Sequence, residues 1–115
     1  MAAQSTRSTP ADPAARYRRL VESFLDEPGV SDRGRGWGAS ALKVNGRIFA
    51  MLSLQGDFVL KLPGARVNRL VESGDGIRFD PRGGRPMKEW VAINPASRKR
   101  WSTLAGEALE FVRAG

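Results

Sequence analysis

Tyr17, Leu20, Val21, Phe24 and Leu25 recur every three to four positions, the period of one helix face. Asp12-Pro13 stands just ahead of them. Aspartate can accept from the free amides of a first helical turn, and proline suits the first helical position because it has no N–H to lose there. A helix is therefore predicted from about residue 13, stopping near Pro28-Gly29. Residues 30–38, rich in glycine and arginine, break this period and are predicted to be a loop. From Ala39 the pattern becomes extended. Residues 41–44 and 47–54 flank Asn45-Gly46, a pair whose members both tolerate the positive φ of a two-residue hairpin turn. The second of these strands is apolar on both faces, as a central strand is. Gln55-Gly56-Asp57 makes a second tight connection to residues 58–62, where Phe58, Leu60 and Leu62 share a face.

Pro63-Gly64 opens a short helix carrying Val67, Leu70 and Val71, and Ser73-Gly74 closes it. Residues 77–79 read as a brief strand, residues 80–86 as a proline- and glycine-rich loop, and residues 87–93 as a further strand ended by Asn94-Pro95. A last helix from about Ala96 buries Trp101, Leu104, Ala105, Ala108, Leu109 and Val112. The order α-βββ-α-ββ-α predicts an α+β domain, an antiparallel sheet of about five strands with helices packed on one face. Residues 1–11 are polar and unpatterned and read as a disordered leader, leaving residues 12–115 as a single domain.

Composition narrows the chemistry. The 115 residues contain no cysteine and no histidine, so thiolate nucleophiles, disulfides and the commonest general base and metal ligand are all missing. No P-loop, G-x-G-x-x-G or serine–base pattern is present, and Asp57, Asp75, Asp80 and Glu89 are scattered without a spacing that pairs two of them. Neither an enzyme nor a cofactor is expected. No apolar run approaches the roughly 20 residues of a membrane span, and the first ten residues lack the apolar segment of a signal peptide, so a cytoplasmic protein is expected. The net charge of +7 attracts polyanions, nucleic acid above all. The competing explanation is an arginine-rich proteome whose basic proteins have no acidic partner.

Residues 37–51, Trp-Gly-Ala-Ser-Ala-Leu-Lys-Val-Asn-Gly-Arg-Ile-Phe-Ala-Met, resemble the TfoX N-terminal domain, whose hairpin starts on an aromatic-glycine pair and runs through an N-G or D-G turn into a Phe-Ala strand. The resemblance continues through Leu60-Lys-Leu-Pro63, Phe79 and Gly84-Arg-Pro-Met-Lys-Glu-Trp-Val91, and so covers roughly residues 20–112. The related YjbR (MmcQ) group shares the layout. Trp37 stands where phenylalanine is commoner, and Ala39 where a second glycine is common. The resemblance implies a compact α+β domain with an antiparallel sheet. For the YjbR-like group it implies DNA binding, by likeness to a double-wing fold, and for TfoX proteins a role in transcription regulation of natural competence. Longer members carry a second, helical domain, for which the sequence up to Gly115 has no counterpart.

Several basic residues are candidates for nucleic-acid contact. Arg33 and Arg35, interleaved with glycines ahead of Trp37, resemble one copy of an RGG-like segment, with arginines on phosphates and the indole on a base. The same residues also read as a loop into the first strand, with Trp37 capping the core. Lys61, Arg82, Arg85 and Lys88 fall on the later strands and their loop, and Arg82-Gly-Gly-Arg85 would form the tip if an uncovered sheet face bound phosphate. A solvated loop is the alternative. By alternation Lys88 shares a face with Trp90, and Glu89 is expected to pair with Lys61 or Lys88 across strands. Arg98, Lys99 and Arg100 are expected in the first turn of the last helix, where cations oppose the helix dipole. Arg16, Arg18 and Arg19 are expected on the solvated face of the first helix.

Three functions are compatible with this pattern. One is a DNA-binding module working through basic loops. Another is a protein-interaction adaptor, docking another regulatory protein on a surface bearing Trp37, Phe49 and Trp90. The third is a small-ligand pocket lined by Arg78, Trp90 and Trp101.

Overall fold

The computed structural model describes residues 12–32, 40–53, 55–79 and 88–115. Among them are three helices, α1 (Pro13–Phe24), α2 (Gly64–Glu72) and α3 (Trp101–Ala114). The strands are β1 (Val30–Ser31), β2 (Ser40–Val44), β3 (Arg47–Leu52), β4 (Phe58–Lys61), β5 (Gly76–Arg78) and β6 (Trp90–Ile93). They form one antiparallel sheet in the order β1-β2-β3-β4-β6-β5. The fold is α+β, as the pattern predicts, with six strands rather than five.

The additional strand is β1, two residues that the sequence assigned to a loop. Gly29 turns the chain back after α1, the Asn45 amide donates to the Gly29 carbonyl at 3.0 Å, and Val30 then pairs with Val44. Two residues are too few to leave a period-two trace. Short strands at both edges also limit sheet-to-sheet association between molecules.

Asp12 caps α1 as expected, its carboxylate accepting from the Ala14 and Ala15 amides at 3.1 and 3.4 Å. Asn45 at φ 52° and Gly46 at φ 83° make the turn between β2 and β3. The last helix, by contrast, starts five residues later than expected. The Asn94 side chain accepts from the Ala96 amide and the Ser97 hydroxyl from the Lys99 amide, so residues 94–99 spend their hydrogen bonds on local turns instead of a helical ladder. Arg98 and Lys99 therefore precede α3, and Arg100 sits at its N-cap.

All three helices lie on one sheet face. Tyr17, Leu20 and Val21 of α1, Val67 and Leu70 of α2, and Leu104, Ala105, Ala108, Leu109 and Val112 of α3 pack there against the sheet. Arg66 and Glu107 join α2 to α3 through two nitrogen–oxygen contacts of 2.9 and 3.2 Å. A bulge in β3 shapes this face. Leu42 opposes Ala50 while Lys43 opposes Ile48, so Phe49 is the unpaired residue. The bulge turns Phe49 and Ala50 both toward the helices and sends Ile48 to the other side. Burying Phe49 completely contributes about 1.5–3 kcal/mol.

The opposite sheet face is not an uncovered platform. Met51, Val59 and Ala92 stand side by side across β3, β4 and β6 and are buried, with Ala41, Ile48, Phe79 and Trp90 packed around them. An apolar row therefore occupies the centre of that face. Among the described residues no helix is long and apolar enough to cross a membrane.

Candidate functional site

The predicted basic residues separate into two groups. Lys61 lies directly opposite Trp90 in the β4–β6 ladder, with its ammonium 5.8 Å from the ring centroid. That pairing explains why Glu89 forms no ion pair with Lys61. Glu89 is one residue out of register and projects to the other side of the strand, while its carbonyl accepts from the Leu62 amide. Lys88 is exposed in the turn leading into β6. Lys61 therefore flanks the apolar row at Trp90. Arg33, Arg35, Trp37, Arg82 and Arg85 lie outside the described residues.

Arg98, Lys99 and Arg100 belong instead to the helix layer and are exposed. Their linker is fastened by Asp75, in the turn between α2 and β5. The Asp75 carboxylate accepts from the Ser73 and Ser97 hydroxyls, each at 2.7 Å, and lies 3.9 Å from the Lys99 ammonium. Those two hydroxyls hold the carboxyl below its usual range, against an opposing effect of desolvation that is larger than the added pull of either Lys99 or Arg66. The Asn94 amide completes the tie, donating to the Asp75 carbonyl at 2.8 Å.

Arg16 is the residue the sequence reading misplaced. Arg18 and Arg19 are exposed as expected, but the Arg16 guanidinium lies over the Trp101 indole, 4.1 Å from its centroid. Trp101 in turn stacks on Phe58, with ring centroids 4.2 Å apart and planes at 18°. The signal was present in the helix period, since Arg16 stands four residues before Leu20 and one before Tyr17, at the border of the apolar stripe. Burial, then the neighbouring Arg19 charge, pushes the Arg16 guanidinium below its ordinary value. Among the described residues no carboxylate lies within ion-pair distance of it.

Arg78, Trp90 and Trp101, proposed from sequence to share a pocket, do not meet. Arg78 is on the helix side of β5, donating to the Asn68 side chain at 2.7 Å, and Trp90 is on the opposite sheet face. Phe49, proposed as part of a docking surface, is completely buried against the helices because of the bulge. The large exposed hydrophobic residues among those described are Leu25, at the end of α1, and Ile77, on the edge strand β5.

The arrangement brings one arginine of α1 to the start of α3: Arg16 lies over Trp101, the residue after the Arg100 N-cap. Of Arg16, Arg18, Arg19, Arg98, Lys99 and Arg100, only Lys99 has a carboxylate within 4.0 Å among the described residues. By contrast Arg66 and Arg113 are committed to Glu107, Glu27 and Glu110. Comparison with protein-family models, with curated proteins and with solved structures returned no match.

Proposed function

We propose that this protein is a small, non-catalytic, cytoplasmic regulatory protein that binds DNA without sequence preference, through the basic margin where α1 meets the linker into α3. The contact of Arg16 with Trp101 carries the reading, because it brings a cation of α1 to the helix start that Arg100 caps, and among the described residues none of Arg16, Arg18, Arg19, Arg98 and Arg100 has a carboxylate within 4.0 Å. Unpaired cations release counterions from a phosphate backbone, which supplies most of non-specific affinity. The resemblance to TfoX N-terminal and YjbR-like domains agrees with this reading and is itself part of the proposal. The interaction-adaptor reading is the weaker one, since Phe49 is inside the core.

Fluorescence anisotropy with a short labelled duplex tests it. Binding at about 50 mM salt should weaken about a hundredfold by 200 mM if about four phosphates are engaged. Arg18→Glu with Arg19→Glu should abolish it, while Lys61→Glu with Lys88→Glu should leave it largely intact. Absence of binding at 50 mM salt would overturn the reading, as would equal sensitivity to the two charge reversals.

A further inference from the structure

A cavity of about 430 Å³ opens between the starts of α1 and α3, the turn from β3 to β4 and the end of β6. Its volume lies within the range of small-molecule sites, roughly 300–1,000 Å³. Phe58, Trp101 and Ile93 give it apolar surfaces, with a proline, Pro13 and Pro95, from each flanking segment. Into this apolar setting comes one cation, Arg16.

Two properties of Arg16 suit it to a ligand. Stacking on Trp101 restrains the guanidinium plane, so less freedom is lost when it grips a partner. Its donors also have no acceptor among the described residues, although burial has already removed part of their water. A planar fork of N–H groups matches a carboxylate bidentately, and since Phe58 and Arg16 take the two faces of Trp101, the indole edge and the prolines are left to meet a flat apolar body. Asp57, which also lines the cavity, opposes any anion there, and a doubly charged one such as phosphate about twice as strongly as a monocarboxylate.

We propose that this cavity binds a small aromatic monocarboxylate, its carboxylate on Arg16 and its ring against the edge of Trp101 and the prolines. The cavity shares Arg16 with the proposed DNA-binding margin, but its test contains no nucleic acid, so the two readings fail separately.

The test is an amide-resolved NMR titration with 2-naphthoate, its neutral isostere 2-naphthamide, and inorganic phosphate. The expected result is saturable binding of 2-naphthoate with Kd below about 1 mM, with shifts centred on Gly56, Asp57 and Trp101. The amide should bind at least tenfold more weakly, and phosphate should leave those signals unmoved. Arg16→Met keeps an apolar stem over the indole and should weaken 2-naphthoate at least tenfold, while Arg18→Met should not. The proposal fails if 2-naphthoate shows no saturable shifts, or if acid and amide bind alike. It also fails if phosphate gives the same shifts, or if Arg16→Met binds as well as the parent protein. Spectral dispersion of each variant confirms that it is folded.

Discussion

Trp101 lies flat on Phe58, ring centroids 4.2 Å apart, so the first turn of α3 is fastened to the start of β4. Tyr17 of α1 also approaches Phe58, at 6.0 Å and a tilt of 59°. One strand residue thus gathers both helices that border the cavity. Trp101→Ala should lower stability by about 2–3 kcal/mol, less than for a completely buried tryptophan because Trp101 is half-buried. Trp101→Phe, which can keep a stack, should lose less than half as much. Urea unfolding followed by circular dichroism measures both, and a loss under 0.5 kcal/mol for the alanine variant would remove the stack from the account.

Asp75 makes stability depend on acid pH. Its folded-state pKa lies below the unfolded value of 3.8. Its contribution is therefore present above that value and is lost as pH falls through the folded one. Asp75→Asn should be less stable than the parent at pH 7, with the difference shrinking as pH drops below about 4. Thermal unfolding between pH 7 and pH 3 reads this. A difference that stays constant across that span would mean that the charge of the carboxylate plays no part.

Two glycines should respond to alanine for separate reasons. A Cβ at Gly76 would sit 2.7 Å from a Val91 methyl and 3.1 Å from the Leu70 Cβ, because α2 presses closely on β5 and β6. A Cβ at Gly46 meets nothing within 4 Å, but φ is 83°. Gly76→Ala should cost about 1–3 kcal/mol through overpacking, and Gly46→Ala about 1–2 kcal/mol through the left-handed backbone. Adding Val91→Ala should recover part of the first cost and none of the second, as a double-mutant cycle would measure. Equal coupling of both glycines to Val91 would contradict the packing explanation.

Much of the fold was legible because local signals agreed with one another. Asp12-Pro13 started α1, Asn45-Gly46 set the β2–β3 hairpin, and the doubly apolar β3 announced a central strand. The failures came where a residue's partner lay far along the chain. β1 exists through Val44, and the late start of α3 follows from hydrogen bonds of Asn94 and Ser97 that outweigh helix propensity. Phe49 changed sides because a bulge breaks the alternation, and a period-two reading has no means of counting an extra residue. Of the site, the basic run before α3 was visible in sequence, but its meeting with Arg16 was not. That meeting depends on Trp101 turning toward α1, which only the packing of three helices on one sheet face determines.

The strand order has a consequence for how the chain is made. β4 pairs with β3 on one side and with β6 on the other, yet β6 follows it only after about thirty residues have been added. During synthesis from the N-terminus, β4 therefore waits with one flank unbonded while Val59 and Leu60, both wholly enclosed in the finished protein, have no neighbour there. Residues 90–93 arrive as the missing rung between two strands already made. Until they do, the nascent chain carries an open apolar seam in the middle of what will be its sheet.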